Sequence, residues 1–247
     1  MPEDTVTIVT QDGQAPARFF TPASATQTAW PGVLYLTDIW GVRPANEKMA
    51  RRVADQGYAV LMPNLFYRDQ PLNFDPLLKG APRDMAMVPA LLASLPPERM
   101  AADGLAYLDY LLGRSETSGG KIAVVGYCFS GAMAVRIAAA APGKVAAAAS
   151  FHGGRLVTED PASPHSLIPR IKAELYFGHA VEDPSMTPQQ IEKLDDTLKA
   201  WGGAYQSEIY QGAKHGWTVE GRADVYNAQQ SERHFEKLFD LLRRTFG

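Results

Sequence analysis

Six residues do most to constrain what this chain can fold into: Gly126-Tyr127-Cys128-Phe129-Ser130-Gly131. They follow the short apolar run Lys121-Ile122-Ala123-Val124-Val125 and precede an Ala-rich stretch, Ala132 to Ala141, that reads as a helix. A strand, a sharp turn and a helix in that order leave the side chain at the apex, Cys128, clear of both elements. So tight a bend needs small residues two before the apex and two or three after it. Gly126, Ser130 and Gly131 supply them. Cys128 is also the only cysteine in 247 residues. A lone cysteine is most often a small buried hydrophobe, but such a residue would sit inside the strand and would need no small neighbours. The pattern marks Cys128 as a candidate nucleophile.

Around this turn, apolar runs alternate with helical patterns. Thr5 to Val9 and Ala17 to Phe20 read as two strands of a hairpin about Asp12-Gly13. Gly32 to Thr37 is a continuous apolar strand, as expected where both faces of a sheet are covered. Pro44 opens a helix that Gly57 can stop. Strands follow at Tyr58 to Met62, Ile122 to Val125, Val145 to Phe151, Ala173 to Phe177 and Tyr205 to Tyr210. Helices follow at Met100 to Leu112, Ala132 to Ala141, Pro188 to Trp201 and Ala223 to Phe246. Such alternation predicts an α/β fold, a mainly parallel central sheet with helices on both faces. The length suits one domain over residues 1–247. Residues 64–99 break the rhythm with six prolines and two methionines. They read as a surface excursion, equally as a cap that shapes a pocket, because ligands bind beyond the C-terminal strand edges of such sheets.

Composition narrows the partners. A net charge of −3 and a pI near 6.0 give no reason to expect nucleic acid or an anionic membrane. No apolar run approaches the roughly 20 residues that span a bilayer. One cysteine excludes an intramolecular disulfide, and a reactive thiol survives best in a reducing compartment. Met1-Pro2-Glu3-Asp4 lacks the features of a signal peptide. The expected location is cytoplasmic. Monomer and dimer both stay open.

A thiol nucleophile needs a base, and the base needs an orienting group. On α/β-hydrolase scaffolds the chain order is nucleophile, acid, histidine. Two acids, Glu182 and Asp183, follow the strand that ends near Phe177, and Asp183 is preferred. His215, in Gly212-Ala213-Lys214-His215-Gly216-Trp217, follows the next strand and lies in a loop. Of the five histidines, only His215 comes after the acid in such a loop. His179 is the main rival, His152 could also line the pocket, His165 has no neighbouring strand, and His234 falls in the last helix as a surface or packing residue. Acyl transfer also needs an oxyanion hole: the backbone N–H of Phe129, after the nucleophile, and that of Ile39 in the loop Thr37-Asp38-Ile39-Trp40-Gly41. Trp40 and Trp217 flank these loops and are expected as pocket walls.

Gly-Tyr-Cys-x-x-Gly at the turn, Asp-Ile-Trp-Gly-Val after the early strand, Pro-Asn-Leu-Phe-Tyr after the next and Ala-Lys-His-Gly-Trp near the end resemble the dienelactone hydrolase family. The resemblance runs from about Gly32 to the end. It implies an α/β-hydrolase fold, a Cys128-His215-Asp183 triad, hydrolysis of an ester or lactone, and no metal or organic cofactor. Well-studied members hydrolyse carboxylate-bearing enol lactones, with a glutamate that acts on the resting thiol at the place of Asp38. The resemblance therefore implies a thiol-modulating or pocket role for Asp38, which could equally cap the loop, and a place for Tyr127 beside the thiol. Ser130 stands where the family usually has glycine. The substrate-carboxylate arginines have no clear counterpart; Arg83 and Arg222 lie in suitable regions without falling in a matched motif. Ester or lactone hydrolysis is thus better supported than dienelactone as the substrate.

Three other readings remain open. One is a general carboxylesterase or thioesterase. Another is a ligand-binding protein on the same fold, with little turnover. The third is a zinc site from His179, Asp183 and His215, which lacks paired-ligand spacing.

Overall fold

The computed structural model describes residues 3–24, 26–69 and 85–247. Among them, eight strands form one sheet: β1 (Glu3–Thr10), β2 (Gly13–Phe20), β3 (Trp30–Leu36), β4 (Ala59–Pro63), β5 (Thr117–Tyr127), β6 (Val145–Phe151), β7 (Glu174–Glu182) and β8 (Tyr205–Lys214). Their spatial order is β1-β2-β4-β3-β5-β6-β7-β8. The first three pair antiparallel and the rest are parallel. This mixed, mostly parallel sheet is that of an α/β-hydrolase fold, as the alternation predicted. The expected hairpin forms, with Thr10 opposite Gly13.

Six α-helices cover the sheet: α1 (Pro44–Ala54), α2 (Val88–Ser94), α3 (Pro97–Leu112), α4 (Phe129–Ala140), α5 (Pro188–Trp201) and α6 (Ala228–Phe246). Strand side chains alternate between two apolar cores. Leu34, Leu36, Val124 and Phe177 face α3, α4 and α5. Val33, Tyr35, Val125 and Tyr176 face α1 and α6. The period of two along each strand produces both layers.

Of the boundaries that differ from the expectation, three have a clear local reason. Strand β5 begins at Thr117, because Thr117 and Ser118 pair with Trp30 and Pro31 of β3 before a register shift brings Ala123 opposite Val33. Helix α4 begins immediately after the turn, at Phe129. Helix α6 begins at Ala228, where the Asn227 side chain accepts the Gln230 N–H at 3.1 Å and caps it. Helix α5 matches its predicted span. A Thr187/Gln190 capping box starts it and Gly202, with φ of 70°, stops it. Residues 70–84 of the 64–99 excursion lie outside the described residues; 64–69 and 85–99, which include α2 and the first turn of α3, are its described part. No helix among the described residues is long and apolar enough to cross a membrane.

Candidate active site

Cys128 sits between β5 and α4 with φ 61° and ψ −128°. A non-glycine residue there stores on the order of 1–3 kcal/mol of strain, so the surroundings must enforce it. The Cys128 N–H donates to the Phe151 carbonyl at 3.1 Å, and the Cys128 carbonyl accepts from the Gly131 and Gly154 N–H groups at 3.1 and 3.2 Å. A Cβ on Gly126 would run into the Ser130 carbonyl, so glycine is required there. Ser130 is buried and its hydroxyl works inside the turn. It accepts from the Tyr127 N–H at 2.8 Å and lies 2.9 Å from the carbonyls of Leu36 and Tyr127. The extra hydroxyl, relative to a glycine, ties the turn to β3.

The other two side chains arrive from neighbouring strand ends. Asp183 follows β7 and His215 follows β8, with Glu182 opposite Lys214 in the ladder and the His215 N–H donating to the Glu182 carbonyl at 3.3 Å. His215 Nδ1 lies 2.7 Å from Asp183 Oδ2, and His215 Nε2 lies 3.1 Å from Cys128 Sγ. Glu182 is exposed, whereas the Asp183 side chain is 1% exposed and points at the ring. Burial alone would lower the His215 pKa. Negative charge at Cys128 and the bond to Asp183 outweigh it and push the imidazole up to about 10.

Ser185 completes this arrangement and was not legible in the sequence. Its N–H and hydroxyl donate to Asp183 Oδ1 at 2.8 and 2.6 Å, and its Oγ is 3.2 Å from His215 Nδ1. The only sequence signal is a serine two residues past the acid, a spacing common in turns.

A cavity of about 670 Å³ opens over these groups; Cys128, Phe129, Ser185 and His215 all line it. Phe129 is the first residue of α4, so its N–H has no intrahelical acceptor. Ile39 is in the turn after β3, next to the β5 end, but is not in the cavity wall. Three expectations for the walls, Trp40, Tyr127 and Trp217, are corrected, and for Asp38 the loop-capping side of the two readings is the one seen. Asp38 is buried, and its carboxylate is held by Arg43, with Nη1 to Oδ1 at 2.6 Å and Nη2 to Oδ2 at 2.5 Å, while Oδ1 also accepts the Trp40 N–H at 3.0 Å. It fastens its own loop. Trp40 is packed in the core. Tyr127 is fully buried, stacked on Phe151, with its hydroxyl 3.3 Å from His234 Nε2. Trp217 is fully buried, stacked on Tyr210. None of the four lines the cavity. Arg222 is paired with Asp224 at 2.8 Å, also outside the cavity wall. Arg83 lies outside the described residues.

The remaining histidines separate clearly. His179 is inside β7 rather than past it, buried, with its ring parallel to Phe177. Burial lowers its pKa to about 4. His152 is buried behind the site, its ring edge-on to His215 at 5.1 Å and its Nε2 2.8 Å from Thr218 Oγ1. Burial, with His215 nearby, holds it well below the ordinary range. His234 is fully buried in α6. Among the described residues no three His, Cys, Asp or Glu side chains are grouped as metal ligands would be.

Fold and site geometry together define an α/β-hydrolase with a cysteine at the strand–helix turn. The model of the dienelactone hydrolase family matches residues 16–246, and the chain belongs to that family. It is 33% identical over 196 residues to the hydrolase tropI of Talaromyces stipitatus, covering 77% of this chain and 71% of that one. It is 24% identical over 234 residues to a provisionally assigned carboxymethylenebutenolidase of Salmonella typhi, covering 92% and 82%. The crystal structure of a provisionally assigned dienelactone hydrolase from Klebsiella pneumoniae superposes with a TM-score of 0.85 at 20% identity, covering 97% of each chain. This last likeness concerns the fold.

Proposed function

We propose that this chain cleaves an ester or lactone bond through Cys128, His215 and Asp183, in the manner of a carboxymethylenebutenolidase. The observation that carries the reading is the unbroken line from Asp183 Oδ2 through the His215 ring to Cys128 Sγ, at 2.7 and 3.1 Å, on a strained turn facing a cavity. A binding protein has no need of a base aimed at a thiol.

The steps follow from the geometry. With its pKa raised to about 10, His215 can hold the thiol proton on Nε2, which frees the sulfur to attack in the nucleophilic, thiolate form. The positive end of α4 favours that charge. The sulfur forms a bond to the carbonyl carbon, and the carbonyl π electrons move to oxygen, which faces the N–H groups of Phe129 and Ile39. The tetrahedral adduct collapses, the C–O bond breaks, and the leaving oxygen takes the proton from His215 Nε2. Neutral His215 then removes a proton from water, the hydroxide adds to the thioester, and collapse releases the acid and restores the thiolate. The sum is ester plus water to acid plus alcohol, or to a hydroxy acid from a lactone. Asp183 accepts the Nδ1–H throughout and keeps the ring in one tautomer.

A panel of p-nitrophenyl esters, thioesters and enol lactones tests the substrate class. Hydrolysis of esters or lactones that is lost in Cys128→Ala is the expected result. Preference for simple esters or thioesters points to the general esterase reading, and no turnover of any member points to a binding protein. Asp183→Asn should lower kcat by about 10⁴-fold with the fold intact, the size of effect a lost tautomer produces in serine triads. Unchanged kinetics would move the orienting role to another acid.

A further inference from the structure

One side of the cavity is not used by the chemistry above. Along α4, Ala132 and Arg136 follow Cys128 at intervals of four, so the three side chains share one face. All three line the cavity. Eight residues at the helical rise carry Arg136 about 12 Å along the axis from Cys128. Ala132 between them is small and leaves the floor open. The facing wall is apolar: Val88 and Leu92 of α2 and Met100 of α3. The result is a trough with a nucleophile at one end, an apolar middle and a guanidinium at the other end.

Arg136 is poorly served by its own protein. It is half-buried, and its Nη2 donates to the Ala162 carbonyl at 2.6 Å. It makes no ion pair within 4.0 Å among the described residues; Asp160 and Glu98 only lie near enough to favour its charge. Asp160 also lines the cavity, and its Oδ1 accepts the Ala162 N–H at 2.7 Å. A second guanidinium, Arg155, stands exposed at the cavity rim. Burial is the leading influence on Arg136 and lowers its pKa, the sign of a cation short of an anion. A guanidinium offers five donors in a fork that matches a carboxylate.

Building on the hydrolase reading, we propose that the cavity selects esters whose apolar body ends in a carboxylate, seated on Arg136 about two helical turns from the scissile carbonyl. No bond forms or breaks at Arg136; it acts on substrate choice. A compact lactone with its carboxylate a few atoms from the ring carbonyl is too short to touch both ends of the trough.

The test uses p-nitrophenyl half-esters of unbranched dicarboxylic acids of increasing length, each beside its uncharged alkanoate of equal length. Acetate esters of ω-hydroxy acids form a second series, with the anion on the alcohol side. In one of the series, the kcat/KM ratio of charged to uncharged ester should rise with length to roughly tenfold or more, the worth of one charge-assisted hydrogen bond. In Arg136→Met the ratio should fall to near one, and in Arg136→Lys it should be partly kept. A ratio near one at every length in both series, or a ratio that survives Arg136→Met, overturns the proposal. If no ester is cleaved at all, the hydrolase reading fails separately, and binding decides this one. Long-chain monoamides of the same diacids should then slow iodoacetamide alkylation of Cys128 in the native chain and not in Arg136→Met. Equal protection in both, or none, overturns it.

Discussion

The backbone of Cys128 is held in a conformation that disfavours a β-carbon. At φ 61° a β-carbon is strained, and glycine is not. Cys128→Gly is therefore expected to be more stable than Cys128→Ala by about 1 kcal/mol or more in denaturant unfolding, although both remove the thiol. An alanine variant as stable as the glycine one would show that the turn is relaxed. His215 carries the second residue-scale prediction. Its folded pKa is raised from 6.5 to about 10, so its imidazolium is stabilised by folding. That contribution is complete below pH 6.5 and is lost as pH rises through about 10. Charge at Cys128 leads the causes that raise it. In Cys128→Ala the ring should titrate at lower pH than in the native chain when followed by NMR. An unmoved titration would mean that Asp183 alone sets it. Ser185→Ala should lower kcat about tenfold with little change in KM, because Asp183 loses a charge-assisted donor. Restoration by Ser185→Thr would distinguish a hydroxyl role from simple packing.

At the scale of elements, the loop after β3 depends on one buried ion pair. Asp38 and Arg43 are both nearly out of contact with water, and removing one partner of such a pair typically costs about 3–5 kcal/mol. Arg43→Met should approach that loss in urea unfolding, and Asp38→Asn with Arg43→Met should recover part of it. Full stability of the single variant would show that water replaces the guanidinium. This pair also explains what sequence could not supply. The turn at Asp38–Gly41, with Gly41 at φ 70°, folds Arg43 back onto Asp38, and a spacing of five in a loop follows no periodicity. The same applies to the aromatic residues. Trp40 and Trp217 flank the catalytic loops in sequence, but Trp40 packs into the core and Trp217 stacks on Tyr210. His179 failed as a pocket residue because β7 runs on to Glu182, and its parity puts it beneath Phe177.

For the whole molecule, the succession of strands and helices along the chain was carried by patterns that sequence shows well. Continuous apolar runs marked the inner strands β3 to β6, small residues marked the turn, and the order cysteine, aspartate, histidine placed three groups after β5, β7 and β8 at one edge of the sheet. What stayed hidden were contacts between loops. Ser185 and the Arg136 trough depend on how residues far apart meet above the sheet, and no spacing rule reports that. The 64–99 excursion shows both sides. Its proline content marked it as irregular, and its described helices α2 and α3 do line the cavity. The central claim is that Cys128 performs the chemistry. Because it is the only cysteine, a graded treatment with iodoacetamide gives a direct reading, with intact mass and ester hydrolysis measured in the same samples. Activity should fall in proportion to the alkylated fraction and reach zero at one adduct per chain. Hydrolysis that persists in fully alkylated protein would contradict it.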